Sequence, residues 1–302
     1  MKDLISARQI TEDRFYRIYE IFQDYKNRYK NGEKKYSDLR GYSILLPFFE
    51  NSTRTRTSFE LAGKILGADT INISASSSSV KKGETLYDTI KTLEAMQSDF
   101  IVMRHYMAGA PHLIAKEVKS HVINAGDGAN EHPSQALLDA FTIMEYKKSL
   151  ENLEIAIVGD ILHSRVARSD IILFKKLGAK ITLCGPKTLM PRHSEVFHVD
   201  NITTDIEEAL KDKDVVIFLR IQLERQNKVY FSTLNEYSIM YGLNQRRVNL
   251  IKEDGIIMHP GPVNRGVEIE SEIVYGNRSV ILEQVENGLF TRMAIYKFLI
   301  SG

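Results

Sequence analysis

The chain has 302 residues, 43% of them hydrophobic and 26% charged, which is the composition of an ordinary globular protein long enough for two domains. Forty Lys and Arg against 39 Asp and Glu leave a formal net charge of +1, which argues against a general nucleic-acid binder but not against a local cluster of arginines. Cys184 is the sole cysteine, so an internal disulfide and a Cys-rich zinc site are excluded and a reducing, cytoplasmic compartment is expected; the first ten residues carry no signal-peptide core, and the longest apolar run, near 44–49, is too short to span a bilayer.

In chain order, short apolar runs alternate with helical patterns. Tyr42 to Phe49 reads as a buried strand and leads through Glu50 and Asn51 into Ser52-Thr53-Arg54-Thr55-Arg56. Ser58, Leu61, Ala62, Ile65 and Leu66 then recur at helical spacing, with Gly67 placed as a helix C-cap. A strand over Asp69 to Ile73 precedes the serine run 76–79 and Val80-Lys81-Lys82-Gly83-Glu84. Further strands are expected at Phe100 to Met103, Val122-Ile123, Glu154 to Val158, Ala179 to Leu183, Val215 to Leu219 and Ile256 to Met258. Helical patterns cover Ala136 to Tyr146, Val166 to Leu177 and Glu286 to Leu299. Strand-helix alternation predicts an α/β fold with two doubly wound parallel sheets in domains of similar size. The expected division is residues 1–133, a joining helix over 134–150, and residues 151–285, with the last helix, 286–302, free to return to the first domain.

Open parallel sheets bind ligands at the carboxyl ends of their strands. Arginines recur there: Arg104 after one strand, Arg220 after another with Gln222 close behind, and Arg165 after Gly159-Asp160 and His163-Ser164. One such arginine is ordinarily a surface residue paired with a carboxylate; several at equivalent positions suggest a cleft for more than one anionic group, because the guanidinium fork binds carboxylate or phosphate with two hydrogen bonds. Ser52 to Arg56 leaves a strand and opens a helix, where unpaired backbone N–H groups, hydroxyls and arginines together make a phosphate site. The plainer alternative is a Ser/Thr cap with solvated arginines. A P-loop is absent, and Gly159-Asp160 lacks the further glycines of a dinucleotide fingerprint. His132 opens another helix, whose N-terminus disfavours the charged imidazole, and Gln135 follows one turn on. No His, Cys, Asp or Glu grouping has metal-ligand spacing.

Phe49 to Glu60 resembles the carbamoyl phosphate signature of the carbamoyltransferases, and His132-Pro133-Ser134-Gln135-Ala136-Leu137 their second motif. Residues 78–85, 159–169, 219–225 and 258–266 are similar to the aspartate-specific catalytic chains within that family. Asn51 stands where many relatives have Pro, and the His-Cys-Leu-Pro segment of ornithine-specific relatives is replaced by His259-Pro260-Gly261-Pro262. The resemblance implies carbamoyl transfer from carbamoyl phosphate to L-aspartate, a step toward pyrimidines. It implies Ser52, Thr53, Arg54 and Thr55 on the phosphate, and Arg104, His132 and Gln135 on the carbamoyl end, with the backbone of Pro260, Gly261 and Pro262. Arg165, Arg220 and Gln222 would hold aspartate. Ser78 and Lys82 would come from the neighbouring subunit of a homotrimer with shared active sites, Lys82 serving both substrates. Association with regulatory chains, as a dodecamer, or with a dihydroorotase is left open.

The implied chemistry is attack of the aspartate amine on the carbamoyl carbon, with Arg54, Thr55, Lys82, Arg104 and His132 as the catalytic set and with neither a metal nor an organic cofactor needed. Thr55, Arg104 and His132 are the expected oxyanion donors, Arg54 and Lys82 the groups facing the departing phosphate, and domain closure would bring the substrates together. Two alternatives stand beside this: a carbamoyltransferase for ornithine or another amine, and a non-catalytic anion-binding or assembly protein on the same fold.

Overall fold

The computed structural model describes residues 1–74, 85–221 and 233–301. Ser78, Lys82 and Gln222 lie outside the described residues. Two compact units are present: Met1–Leu138 together with the chain from Glu286 on, and Asp139–Val285.

The first unit opens with α1 (Glu12–Lys30), a helix the sequence reading leaves unassigned. The Thr11 hydroxyl accepts the Arg14 N–H at its start, and Phe15, Ile18, Phe22 and Tyr25 form its buried stripe. There follow β1 (Ser43–Phe48), α2 (Thr53–Ile65), β2 (Asp69–Ser74), α3 (Leu86–Ala95), β3 (Phe100–His105), α4 (Ala110–Glu117), β4 (His121–Asp127) and α5 (Pro133–Lys147). The sheet is parallel with order β2-β1-β3-β4. Its inner strands are buried along nearly their whole length, as in a parallel sheet covered on both faces. Phe100 packs edge-on against Tyr296, with ring centroids 5.1 Å apart, and Tyr296 in turn meets Phe59 of α2 at 5.8 Å. Gly67 follows α2 at φ +92°, the left-handed conformation a C-terminal glycine supplies.

The second unit contains β5 (Glu154–Val158), α6 (Arg165–Lys176), β6 (Lys180–Cys184), β7 (Asn201–Thr203), α7 (Ile206–Leu210), β8 (Val215–Phe218), α8 (Leu234–Tyr241), α9 (Gln245–Val248) and β9 (Ile256–Met258). Its sheet is also parallel, with order β7-β6-β5-β8-β9. The core joins Ala156, Val158, Val216, Phe218 and Ile257 to Ile206, Leu210, Tyr237 and Tyr241. The last helix, α10 (Ile281–Ser301), begins five residues earlier than expected.

The fold is thus α/β with two parallel sheets, and three local readings need correction. The segment from Asn124, expected as a loop, continues β4 as far as Asp127, pairing Met103 with Asn124 and His105 with Asp127. Polar side chains can lie there because they bond one another, Asn124 Nδ2 donating to Asp127 Oδ1 at 2.8 Å. β7 is an additional edge strand, only three residues long and largely exposed, so it carries no apolar run to announce it. The joining helix begins at Pro133, where a missing N–H costs nothing.

Candidate active site

In each sheet one strand has neighbours reached in opposite directions, which opens a crevice at its carboxyl end. In the first unit this switch point lies between β1 and β3. Their register sets Phe48 beside Arg104, after an interruption at Pro47, which has no N–H to give the ladder. Phe49 N–H then donates to the Arg104 carbonyl at 2.8 Å. The pairing brings Glu50 to Arg104: Nε donates to Glu50 Oε2 at 3.0 Å, while Nη1 reaches the Ala125 carbonyl at 3.4 Å. Glu50 therefore orients a predicted site residue. The sequence reading gives it no role, although its place two residues after β1 was the available signal.

Ser52 takes the N-cap of α2 in an extended conformation but makes no side-chain cap bond. A serine there ordinarily satisfies the N–H two or three residues on. Here its hydroxyl stands beside the helix terminus, where backbone N–H groups and the dipole favour an anion. Thr53 and Arg54 are exposed, whereas Thr55 is buried. Buried Phe59, Ala62 and Ile65 hold the helix to the core behind this first turn.

His132 is buried at the start of α5, and its carbonyl accepts the Gln135 and Ala136 N–H groups at 2.9 and 3.3 Å. Its Nδ1 lies 3.4 Å from Ser134 Oγ. The loop before it is shaped by fully buried Asp127, another residue the sequence reading missed. Asp127 Oδ1 accepts Asn124 Nδ2 and the Glu131 N–H, and Oδ2 accepts the Gly109 N–H at 2.7 Å and Asn130 Nδ2 at 3.0 Å. Ser52, Thr53, Arg54, Thr55, Arg104, His132 and Gln135 all fall at the carboxyl ends of this sheet or on the helices that start there. Nearby His105 accepts the Met107 N–H on Nδ1, and burial pushes its pKa below the usual imidazole value.

In the second unit the switch point lies between β5 and β8. Gly159 follows β5 at φ +127°, and a Cβ there would come within 3.0 Å of the Leu219 carbonyl, so the two strand ends can run this close only with glycine. Asp160 Oδ1 accepts His163 through its backbone N–H at 3.2 Å and meets its ring Nδ1 at 2.8 Å. Ser164 then caps α6, its Oγ accepting the Ala167 N–H at 3.1 Å, which leaves Arg165 as the first helical residue, almost fully buried. Arg220 is half-buried two residues beyond β8. After β9, His259 Nδ1 accepts the Gly261 N–H at 2.8 Å, and the Gly261–Pro262 peptide bond is cis. Arg165, Arg220 and the 260–262 turn thus leave three adjacent strands of one sheet.

Among the described residues, no group of three or more His, Cys, Asp or Glu side chains could hold a metal ion, and no helix is long and apolar enough to cross a membrane.

Residues 2–145 match the carbamoyl-P binding domain, and residues 151–299 the Asp/Orn binding domain, of aspartate/ornithine carbamoyltransferases. The chain is 55% identical over 298 residues to the aspartate carbamoyltransferase catalytic subunit of Ruminiclostridium cellulolyticum, spanning 99% of this chain and 95% of that protein. It is 53% identical to that of Acetivibrio thermocellus, with the same shares covered. Among solved structures, aspartate transcarbamoylase from Trypanosoma cruzi, in complex with carbamoyl aspartate and phosphate, superposes with a TM-score of 0.90 at 31% identity, covering 98% of this chain and 95% of that one. Ornithine carbamoyltransferase from Pyrococcus furiosus superposes with a TM-score of 0.88 at 28% identity, covering 100% and 97%. With both halves of its length matched, the chain belongs to the aspartate/ornithine carbamoyltransferase family.

Proposed function

We propose that the protein is an aspartate carbamoyltransferase, converting carbamoyl phosphate and L-aspartate to N-carbamoyl-L-aspartate and phosphate. The observation that carries the choice of amine is the pair of arginines, Arg165 and Arg220, after the adjacent strands β5 and β8. Two guanidinium groups suit a dicarboxylate and repel the cationic side chain of ornithine. Relatives more than half identical over nearly the whole chain, named as aspartate carbamoyltransferase catalytic subunits, support the same reading.

In this reading the first unit takes carbamoyl phosphate and the second aspartate. The first turn of α2 binds the phosphate through Ser52, Thr53, Arg54 and Thr55. Arg104, His132 and Gln135 serve the carbamoyl group, and the family resemblance gives the backbone of Pro260, Gly261 and Pro262 a contact to it as well. Gln222 joins the two arginines on aspartate. Ser78 and Lys82 act from the neighbouring chain of a homotrimer.

The deprotonated amine of aspartate attacks the carbamoyl carbon. The C–N bond forms, negative charge gathers on the carbonyl oxygen, and the C–O bond to phosphate then breaks. Arg104 is held by Glu50 through Nε, which fixes the plane of the guanidinium before substrate arrives. His132 Nδ1 lies beside Ser134 Oγ, and in the tautomer that carries the proton on Nε2 this nitrogen donates a hydrogen bond to the oxyanion. Preorganised donors of this kind are commonly worth 10²–10³ in kcat each, roughly. Arg54 stabilises the phosphate as it departs, and the phosphate is the acceptor for the amine's proton. The test is purified protein supplied with carbamoyl phosphate and either L-aspartate or L-ornithine. Carbamoyl aspartate should form, with negligible citrulline; equal or faster turnover of ornithine rejects the assignment.

A further inference from the structure

We infer that Glu268 is a positioning residue for the aspartate-binding half of the site, an inference that rests on the aspartate carbamoyltransferase reading. Its carboxylate is fully buried, a costly state unless every lone pair finds a donor. Oε1 accepts the Ile221 N–H at 3.0 Å and Asn264 Nδ2 at 2.8 Å, and Oε2 accepts the Asn264 N–H at 2.7 Å. Oε2 also lies 3.7 Å from Nε2 of His259, whose side chain is likewise fully buried. Because His259 Nδ1 accepts the Gly261 N–H, the neutral ring carries its proton on Nε2, the nitrogen facing Glu268.

These partners are informative by position. Ile221 directly follows Arg220, Asn264 comes two residues after Pro262, and His259 grips the N–H of Gly261. One carboxylate therefore ties the end of β8 to the turn after β9. Its own backbone N–H donates to the Asn264 carbonyl at 3.3 Å, and its carbonyl accepts the Leu243 N–H at 2.9 Å, so it is itself held at both ends. Arginine recognition of a carboxylate depends on placing a rigid fork, and a guanidinium is only as well placed as the backbone that carries it. Glu268 touches no substrate in this account; it holds the peptide next to the arginine.

A glutamine at this position keeps the shape and most of the volume. It offers a single acceptor oxygen, and its NH2 must face at least one N–H that the carboxylate accepted. The frame loosens on the β8 side or the turn side. For Glu268→Gln we expect KM for aspartate to rise about tenfold or more, and inhibition by the dicarboxylate succinate to weaken in parallel. The affinity for inorganic phosphate, which probes the first turn of α2 in the other unit, should stay within about twofold. A general loss of structure would lower both affinities together. Asn264→Ala removes the Nδ2 bond alone and should raise the aspartate KM by a smaller factor, about threefold; it decides the matter if Glu268→Gln does not fold. A folded Glu268→Gln with aspartate KM within twofold of wild type, or with phosphate affinity falling equally, overturns the inference while the function stands. An unchanged aspartate KM in Asn264→Ala, where that variant decides, does the same. Wild type without turnover of aspartate overturns both.

Discussion

The carboxyl edges of the two sheets are built from the same strand order logic but differ in how they gather their side chains. In the first unit, four proposed phosphate ligands lie consecutively, Ser52 to Thr55, at one helix start. In the second, Arg165, Arg220 and the 260–262 turn come from three separate strand ends, tied together by Gly159, His259 and Glu268. A helix terminus is a prefabricated anion site, so its ligands can be local in sequence. No such element matches the two ends of a dicarboxylate, so in the proposed function that recognition would be assembled from distant segments and would need buried polar groups to keep it in register. One edge depends on the integrity of a single turn; the other depends on tertiary hydrogen bonds.

The largest separation between the edges should come from Arg54→Ala. Arg54 is exposed, so its loss leaves the core intact, and kcat should fall by roughly 10²–10³ with the fold retained. Steady-state kinetics with circular dichroism checks this; a normal kcat with only weaker carbamoyl phosphate binding would contradict its role on the leaving group. The same variant tests the shared site. Refolded together with Lys82→Ala chains, it should regain part of the wild-type activity if the proposed homotrimer shares its sites, because some interfaces would then carry neither change. Absence of recovery in confirmed mixed trimers would assign Lys82 to its own chain's site or to none.

Arg220→Ala addresses the other edge. Hydrogen bonds to a charged group contribute about 1.5–3 kcal/mol, so the aspartate KM should rise by about 10- to 100-fold while phosphate affinity is unchanged. If both affinities fell together, the division of labour between the edges would be wrong.

The smallest effect concerns stability rather than chemistry. Asp170 of α6 is fully buried, and neither carboxylate oxygen has a hydrogen-bond partner among the described residues. Burial, reinforced by the negative charge of Asp139, pushes its pKa well above the usual carboxylate range. The folded state therefore holds a proton that the unfolded chain releases near its ordinary value, about 3.9. Stability from this group is fully present below that pH and declines as pH rises toward the folded pKa. Asp170→Asn removes the penalty. Its thermal midpoint should exceed that of wild type by a few degrees at pH 7 and converge with it near pH 4, on the basis of about 1–3 kcal/mol for such a group. A constant offset across that range would show that Asp170 does not titrate in this way.

Much of this organisation was legible in the chain. Continuous apolar runs such as Phe100 to Met103 and Ile155 to Val158 mark strands buried on both faces, and their alternation with helices leaves parallel sheets as the natural outcome. Residues next to strand ends, Arg104 and Arg220 among them, were readable as site candidates because the fold class alone says where ligands bind. What stayed hidden lacked a local signal. β7 is short and exposed, Asn124 to Asp127 is polar yet buried, and α1 is so rich in charge that its apolar stripe is easily passed over.

Glu50 and Glu268 show the limit most clearly. Glu50 meets an arginine 54 positions away only because β1 pairs with β3, and Glu268 reaches an N–H 47 positions away only because β8 lies beside β9. Local pattern determines which segments become strands and which helix termini face an anion, since periodicity and capping act within a few residues. Which strands lie side by side is decided by burying all their faces at once, and carboxylates such as half-buried Glu50 and fully buried Glu268 acquire their partners only from that choice.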